Sequence, residues 1–278
     1  MKIGWSFPLN NGGEGSGPNN GAMDAFAGTR LSSLVREVIQ NSLDAPAPGN
    51  NPVRISFQLN EISKAEFSGF SDVGVHIKAC ARMAKKQKLD DVVDYYEKSL
   101  KFMGTGKTVS VLSVHDANTE GLTGPINKPF GSWYALTKGT GLSQKSSVGS
   151  LGSFGHGSKA PFTMTKSQSV FYYTVINSGN DKKKFEKRFQ GKSILQSHEE
   201  PKTKSLTQST GFYGLEEGLQ PLIGSKVPKW AVSLRKEFSG GTGTSIFIPF
   251  TSFNADLFPE TKITVVANFF YAILMGSL

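Results

Sequence analysis

Cysteine is almost missing from this chain. Cys80 is the single thiol in 278 residues, which excludes an internal disulfide framework and leaves no cysteine cluster to build a metal site. The opening Met1-Lys2-Ile3-Gly4-Trp5-Ser6 lacks the apolar run of a signal peptide. Long hydrophobic runs are scarce too. The longest, Val265 to Met275, is interrupted by Asn268 and is too short to span a bilayer. No internal repeat is visible, and no linker cuts the chain into two domains. These absences lead us to expect a cytoplasmic protein with no membrane partner. What is plentiful is glycine, with 31 residues beside 13 prolines, so long ordered loops are expected. A hydrophobic fraction of 37% is ample for one large core or a core with insertions. The net charge of +9 permits phosphate or nucleic-acid partners, DNA included, but says nothing about fold.

The most informative stretch runs from Leu31 to Ala45. Leu31, Leu34, Val35, Val38 and Ile39 recur at helical spacing and form one apolar stripe. Thr29 stands where an N-cap belongs, and Pro46 forbids continuation. A second face of the same helix carries Glu37, Asn41 and Asp44 at i, i+4 and i+7. Such a row suggests a site, although many amphipathic helices carry Glu and Asn for solubility alone.

Residues 1–10 read as a short edge strand, and Asn10 to Met23 as a Gly/Asn-rich loop. Val53, Ile55, Phe57 and Leu59 alternate with polar residues as in a half-buried strand. Residues 61–108 read as an insertion with a helix through Leu89, Val92, Val93, Tyr96 and Leu100; the lysines of the segment are expected to form a solvated face, with a nucleic-acid surface as the minority reading. Gly104-Thr105-Gly106-Lys107-Thr108 lacks the upstream glycine of a P-loop and precedes a strand instead of following one. Val109 to Val114 is a buried strand that ends in His115-Asp116-Ala117-Asn118-Thr119-Glu120-Gly121. A helical turn is expected within Phe130 to Leu136, with Phe130 and Trp133 in a core. Beyond it lies Gly149-Ser150-Leu151-Gly152-Ser153-Phe154-Gly155-His156-Gly157-Ser158-Lys159-Ala160-Pro161-Phe162. Val170 to Ile176 and the basic run Lys182 to Phe189 form a hairpin whose charges are expected in solvent. Residues 190–240 read as polar and irregular, with a helix from Trp230 to Phe238. Gly243-Thr244 opens a strand through Phe250, and Lys262 to Leu278 is an apolar helix. The four histidines show no ligand spacing.

Four pieces therefore stand in one order. They are the Glu37/Asn41/Asp44 helix, a strand ending in Asp116, the glycines 152, 155 and 157 before Phe162, and Gly243-Thr244. This order resembles the GHKL superfamily of ATPases, over roughly residues 30–250. The run Gly-x-Phe-Gly-x-Gly with a phenylalanine five residues on is similar to the lid motif of its heat-shock chaperone members. One departure stands out. The second motif usually reads Asp-x-Gly-x-Gly, whereas here it is Asp116-x-Asn118-x-x-Gly121, with asparagine as the best non-glycine substitute at positive φ.

The resemblance implies an α+β fold, the two-layer Bergerat sandwich, with a mostly antiparallel mixed sheet and helices on one face. The expected organisation is an ATP-binding domain over 1–250 with insertions near 61–108 and 180–240. A C-terminal apolar helix over 251–278 follows, the start of or dock for a further domain. ATP and Mg²⁺ are the implied ligands. Asn41 would hold the metal, Glu37 would act as general base, and Asp116 would accept a hydrogen bond from the adenine amino group. Thr244 would support the adenine, while Asp44, Ala45, Asn118 and Gly121 would line the nucleotide. Gly152, Phe154, Gly155, His156 and Gly157 would form the lid over the phosphates. Lys159 is not a residue of the family motif, and its charge beside that run is our own ground for expecting it to neutralise phosphate as the lid closes. The implied activity is ATP hydrolysis, slow in the chain as it stands. Lid closure would be coupled to homodimerisation or to a partner protein, in DNA transactions or bacterial antiviral defence. A non-hydrolysing ATP sensor is the alternative, and a protein kinase the next.

Overall fold

A computed structural model describes residues 1–17, 29–49, 51–67, 69–139, 157–179 and 181–278. Its centre is an eight-stranded sheet in the order β1-β6-β5-β4-β8-β3-β2, with β7 paired to β5. The strands are β1 (Ile3–Ser6), β2 (Arg54–Ser63), β3 (Thr108–Ala117), β4 (Ser169–Ser178), β5 (Asp181–Ile194), β6 (Thr210–Leu215), β7 (Leu222–Ile223) and β8 (Gly243–Pro249). Every pairing between them is antiparallel. The expected α+β class holds. β1 is an edge strand, as expected.

Helix α1 (Arg30–Leu43) buries the stripe read from its sequence, Leu31, Leu34, Val35, Val38 and Ile39. Leu34 and Val35 are completely buried, and burying a side chain of this size stabilises by about 1.5–3 kcal/mol. The stripe meets Leu112 and Val114 of β3 and Ile248 of β8. The start of α1 differs from the expected cap. Thr29 Oγ1 lies 3.0 Å from Ser33 Oγ and caps no backbone N–H. The helix ends at Leu43, three residues before Pro46.

The layering departs from helices on one face only. Side chains on a strand alternate between faces, and so do those of β3 and β8: Val111 and Phe247 point away from α1, whereas Leu112 and Ile248 point toward it. The far face is covered by α2 (Phe70–Lys86) and α3 (Asp90–Gly104), which fill the insertion, and by α5 (Lys229–Leu234). On α2, Val73, Ile77, Cys80 and Ala84 are buried at helical spacing. Phe67, Phe171, Phe189 and Trp230 interlock there, with Phe67 and Trp230 centroids 5.0 Å apart. The insertion is thus a layer of the core, because an antiparallel sheet with two apolar faces needs both covered.

Residues 190–240 are also more ordered than their polarity suggests. β5 runs on to Ile194, and β6 and β7 carry the sheet outward. Arg188 of the basic hairpin is buried. It donates to Gly124 O at 2.6 Å and to Glu186. The short helix α4 spans Ser132–Thr137, with Trp133 fully buried and Phe130, expected in a core, exposed. Three histidines, His76, His115 and His198, are buried. The C-terminal helix α6 (Phe258–Leu274) docks beside α1 through Phe269, with Val265 and Phe258 partly buried around it. Against the expectation of a run too short to span a bilayer, Ala255–Leu274, the preceding 3-10 turn together with α6, is apolar and long enough by composition and length to cross one.

Candidate functional site

Antiparallel pairing explains how distant motifs meet. β8 lies between β3 and β4, with His115 opposite Ser245 and Thr174 opposite Thr244. The end of β3 therefore adjoins the start of β8, and Asp116 Oδ1 accepts a 2.7 Å bond from the backbone N–H of Thr244, 128 residues away. The same oxygen accepts from Thr119 Oγ1 at 2.6 Å. Oδ2 lies 3.2 Å from Ser42 Oγ, whose one proton is shared with Val38 O at 2.9 Å, and this contact ties the carboxylate to α1. Ser42, Thr119 and Thr244 are all buried. Burial pushes the Asp116 pKa above its ordinary value. The donors at Thr119 and Thr244, the Arg235 charge and Ser42 oppose that shift and favour the ionised form.

The loop after Asp116 takes the conformation its composition requires. Asn118 has φ 61° and Gly121 φ 71°, so asparagine fills a left-handed position usually given to glycine. The Asn118 side chain donates to Pro52 O at 2.7 Å. Its carbonyl accepts from Ala47 N at 2.9 Å, and Glu120 N donates to Ala45 O at 2.9 Å. The segment after α1 is thereby zipped to the loop after β3, which fixes Asp44 and Ala45 beside it. A Cβ on Gly121 would lie 2.6 Å from Thr174 Oγ1 and 2.8 Å from Val175 O, so glycine is needed for close approach to β4.

On the outward face of α1, Asn41 Nδ2 lies 3.4 Å from Glu37 Oε1, and Gln40 Nε2 donates to Asp44 Oδ1 at 2.7 Å. Glu37 is half-buried; Asn41 and Asp44 are exposed. Of the expected lid, Gly152, Phe154, Gly155 and His156 lie outside the described residues. Gly157 opens a 3-10 helix through Met164, which packs against α1. Lys159 stands on it, and Phe162 is buried against Val170, Tyr172 and Ile194. Burial lowers the Lys159 pKa.

Arg235 was not legible as a site residue. It is 2% exposed and lies directly behind the carboxylate. Its Nη2 donates to Asp116 O at 2.8 Å, and its Nη1 to Thr244 O at 2.8 Å and Ser245 Oγ at 2.9 Å. A Cβ on Gly243 would come within 2.4 Å of Arg235 Nη2 and 2.5 Å of Asp116 O. The glycine before Thr244 thus leaves room for the arginine clamp. Ser42 was missed as well. Its signal was a polar residue four places after Val38 on the buried stripe.

The donor set can be weighed against the implied ligands. An ionised carboxylate offers about four lone-pair sites, and Ser42, Thr119 and Thr244 take three, so Asp116 keeps capacity for an amino donor. Among the described residues, no three His, Cys, Asp or Glu side chains gather to hold an ion. A magnesium here would be held by Asn41 together with phosphate oxygens, a set that suits a hard cation which keeps most of its water. The residues fit both. Comparison of the chain with family models and with curated proteins returns no match.

Proposed function

We propose that this chain is a GHKL-type ATP-binding and hydrolysing switch. The reading is carried by one observation: a carboxylate, Asp116, held by buried donors from three directions where β3, β8 and α1 converge. A group fixed this way can read a donor–acceptor pattern on a base. Adenine offers an amino donor there; guanine offers an acceptor, which would leave the carboxylate unpaired. Thr244 flanks it, with Thr174 Oγ1 3.4 Å from its hydroxyl.

The α1 face serves the phosphates. Asn41 supplies a neutral amide oxygen for Mg²⁺, which when bound offsets phosphate charge. Glu37 stands one turn earlier and takes a proton from, or orients, the attacking water. Lys159 meets phosphate charge as the lid closes. Closure is coupled to homodimerisation or partner engagement in the cytoplasm, with the basic chain suited to DNA-linked work or antiviral defence. Phosphate release from Mg–ATP and not from Mg–GTP is the expected result. Tight ATP binding without release would favour an ATP sensor, and label transfer to protein would favour a kinase.

A further inference from the structure

α6 has two faces of different fate. Thr261, Thr264 and Phe269 are buried toward α1, whereas Ile263, Val266, Phe270 and Leu274 are 69%, 59%, 57% and 75% exposed. Spaced i, i+3, i+7 and i+11, these four form one continuous stripe opposite the docked face. Tyr271, Ile273 and Met275 widen it, at 67%, 42% and 63% exposed. From Ile263 to Met275 no side chain carries a charge. The one amide in the span, Asn268, already donates to Thr264 O at 2.7 Å.

We propose that this stripe is the interface of a two-fold homodimer, formed by α6 packing on the α6 of a second copy. The area decides the occupant. Seven large side chains at these exposures leave on the order of 900 Å² in water, close to the ~800 Å² that each partner buries in a standard interface. An ordinary monomer's largest patch is ~300–600 Å². An isologous contact needs a surface complementary to itself, and an uncharged apolar ridge at 3-4 spacing meets its own copy with no like charges opposed. Phe270, near the middle of the stripe, falls beside the symmetry axis.

A lipid surface fits less well. Interfacial helices carry Lys and Arg along a polar face, whereas the polar side of α6 is spent on α1. By length and composition alone Ala255–Leu274 could also span a bilayer, and flotation with vesicles is the outcome that would assign it there.

This dimer requires no nucleotide, so its test is independent of the ATP reading. Sedimentation velocity over a micromolar dilution series of the nucleotide-free protein is expected to show a monomer–dimer equilibrium. Phe270→Glu is expected to abolish the dimer while keeping the parent's far-UV circular dichroism, because the side chain is exposed in the protomer; its thermal midpoint is expected to lose the parent's dependence on protein concentration. Val75→Glu, at another exposed apolar position on α2, is expected to leave the dimer intact. A monomer at every concentration would overturn the proposal. So would a dimer that persists in Phe270→Glu, one lost equally in Val75→Glu, or flotation of the protein with phosphatidylcholine vesicles.

Discussion

A single carboxylate, that of Asp116, joins β3, β8 and α1, and a single arginine holds the backbone beside it. Arg235, at the end of α5, bonds two backbone carbonyls and a hydroxyl where β3 meets β8. Arg235→Met removes this donor from the Asp116 and Thr244 carbonyls, at ~1–3 kcal/mol for each group left unpaired, while Ser245 Oγ keeps His115 Nδ1 at 2.8 Å. The expected result is a lower urea midpoint with a loss of about 2 kcal/mol or more. An unchanged midpoint would show that the clamp is dispensable. Gly243→Ala strikes the same spot from the other side, since its Cβ would collide with Arg235 and with the Asp116 carbonyl.

At the scale of elements, two residues one turn apart on α1 are proposed to divide turnover from metal-dependent binding. Glu37→Ala is expected to bind ATP with the parent's affinity and to lose phosphate release, because a base acts in the transition state and not in ground-state affinity. Asn41→Ala is expected to lose the Mg²⁺-dependent part of ATP affinity, read by calorimetry with and without the metal. Normal turnover in the first, or undiminished Mg–ATP affinity in the second, would reassign those roles.

The same helix shows what the sequence could reveal. Its stripe was legible because five large apolar residues recur with one period, and β2, β3, β4 and β8 were legible by alternation or by buried runs. α2 was not, since Gly74, Ala79 and Ala84 dilute its stripe. β6 and β7 are short, and β6 carries two glycines, so only their neighbours make them strands. The separate site motifs could be read. Their junction could not, because Ser42 and Arg235 reach Asp116 across 74 and 119 residues, and no local pattern encodes such contacts.

At the scale of the whole molecule, the two-faced core encloses histidines that must stay neutral. Burial lowers His115 to about 3 and His76 to about 4 from an ordinary 6.5, and lowers His198 as well. Between those values only the unfolded chain binds the proton. Stability is therefore full above pH ~6.5 and falls as pH drops through the window toward the folded values, by up to ~2 kcal/mol per histidine at pH 5. Urea midpoints at pH 7.5 and pH 5 should differ markedly. Equal midpoints would mean that these rings accept protons in the folded state.

Whether Asp116 reads adenine is tested most directly by calorimetric titration of the parent and of Asp116→Asn with ATP. The amide turns a donor toward the adenine amino group and the Thr244 N–H. The expected outcome is measurable binding by the parent and a loss of about 2–4 kcal/mol in the variant, which is roughly 30- to 1,000-fold in affinity. A parent that does not bind ATP, or a variant that binds it equally well, would contradict the account.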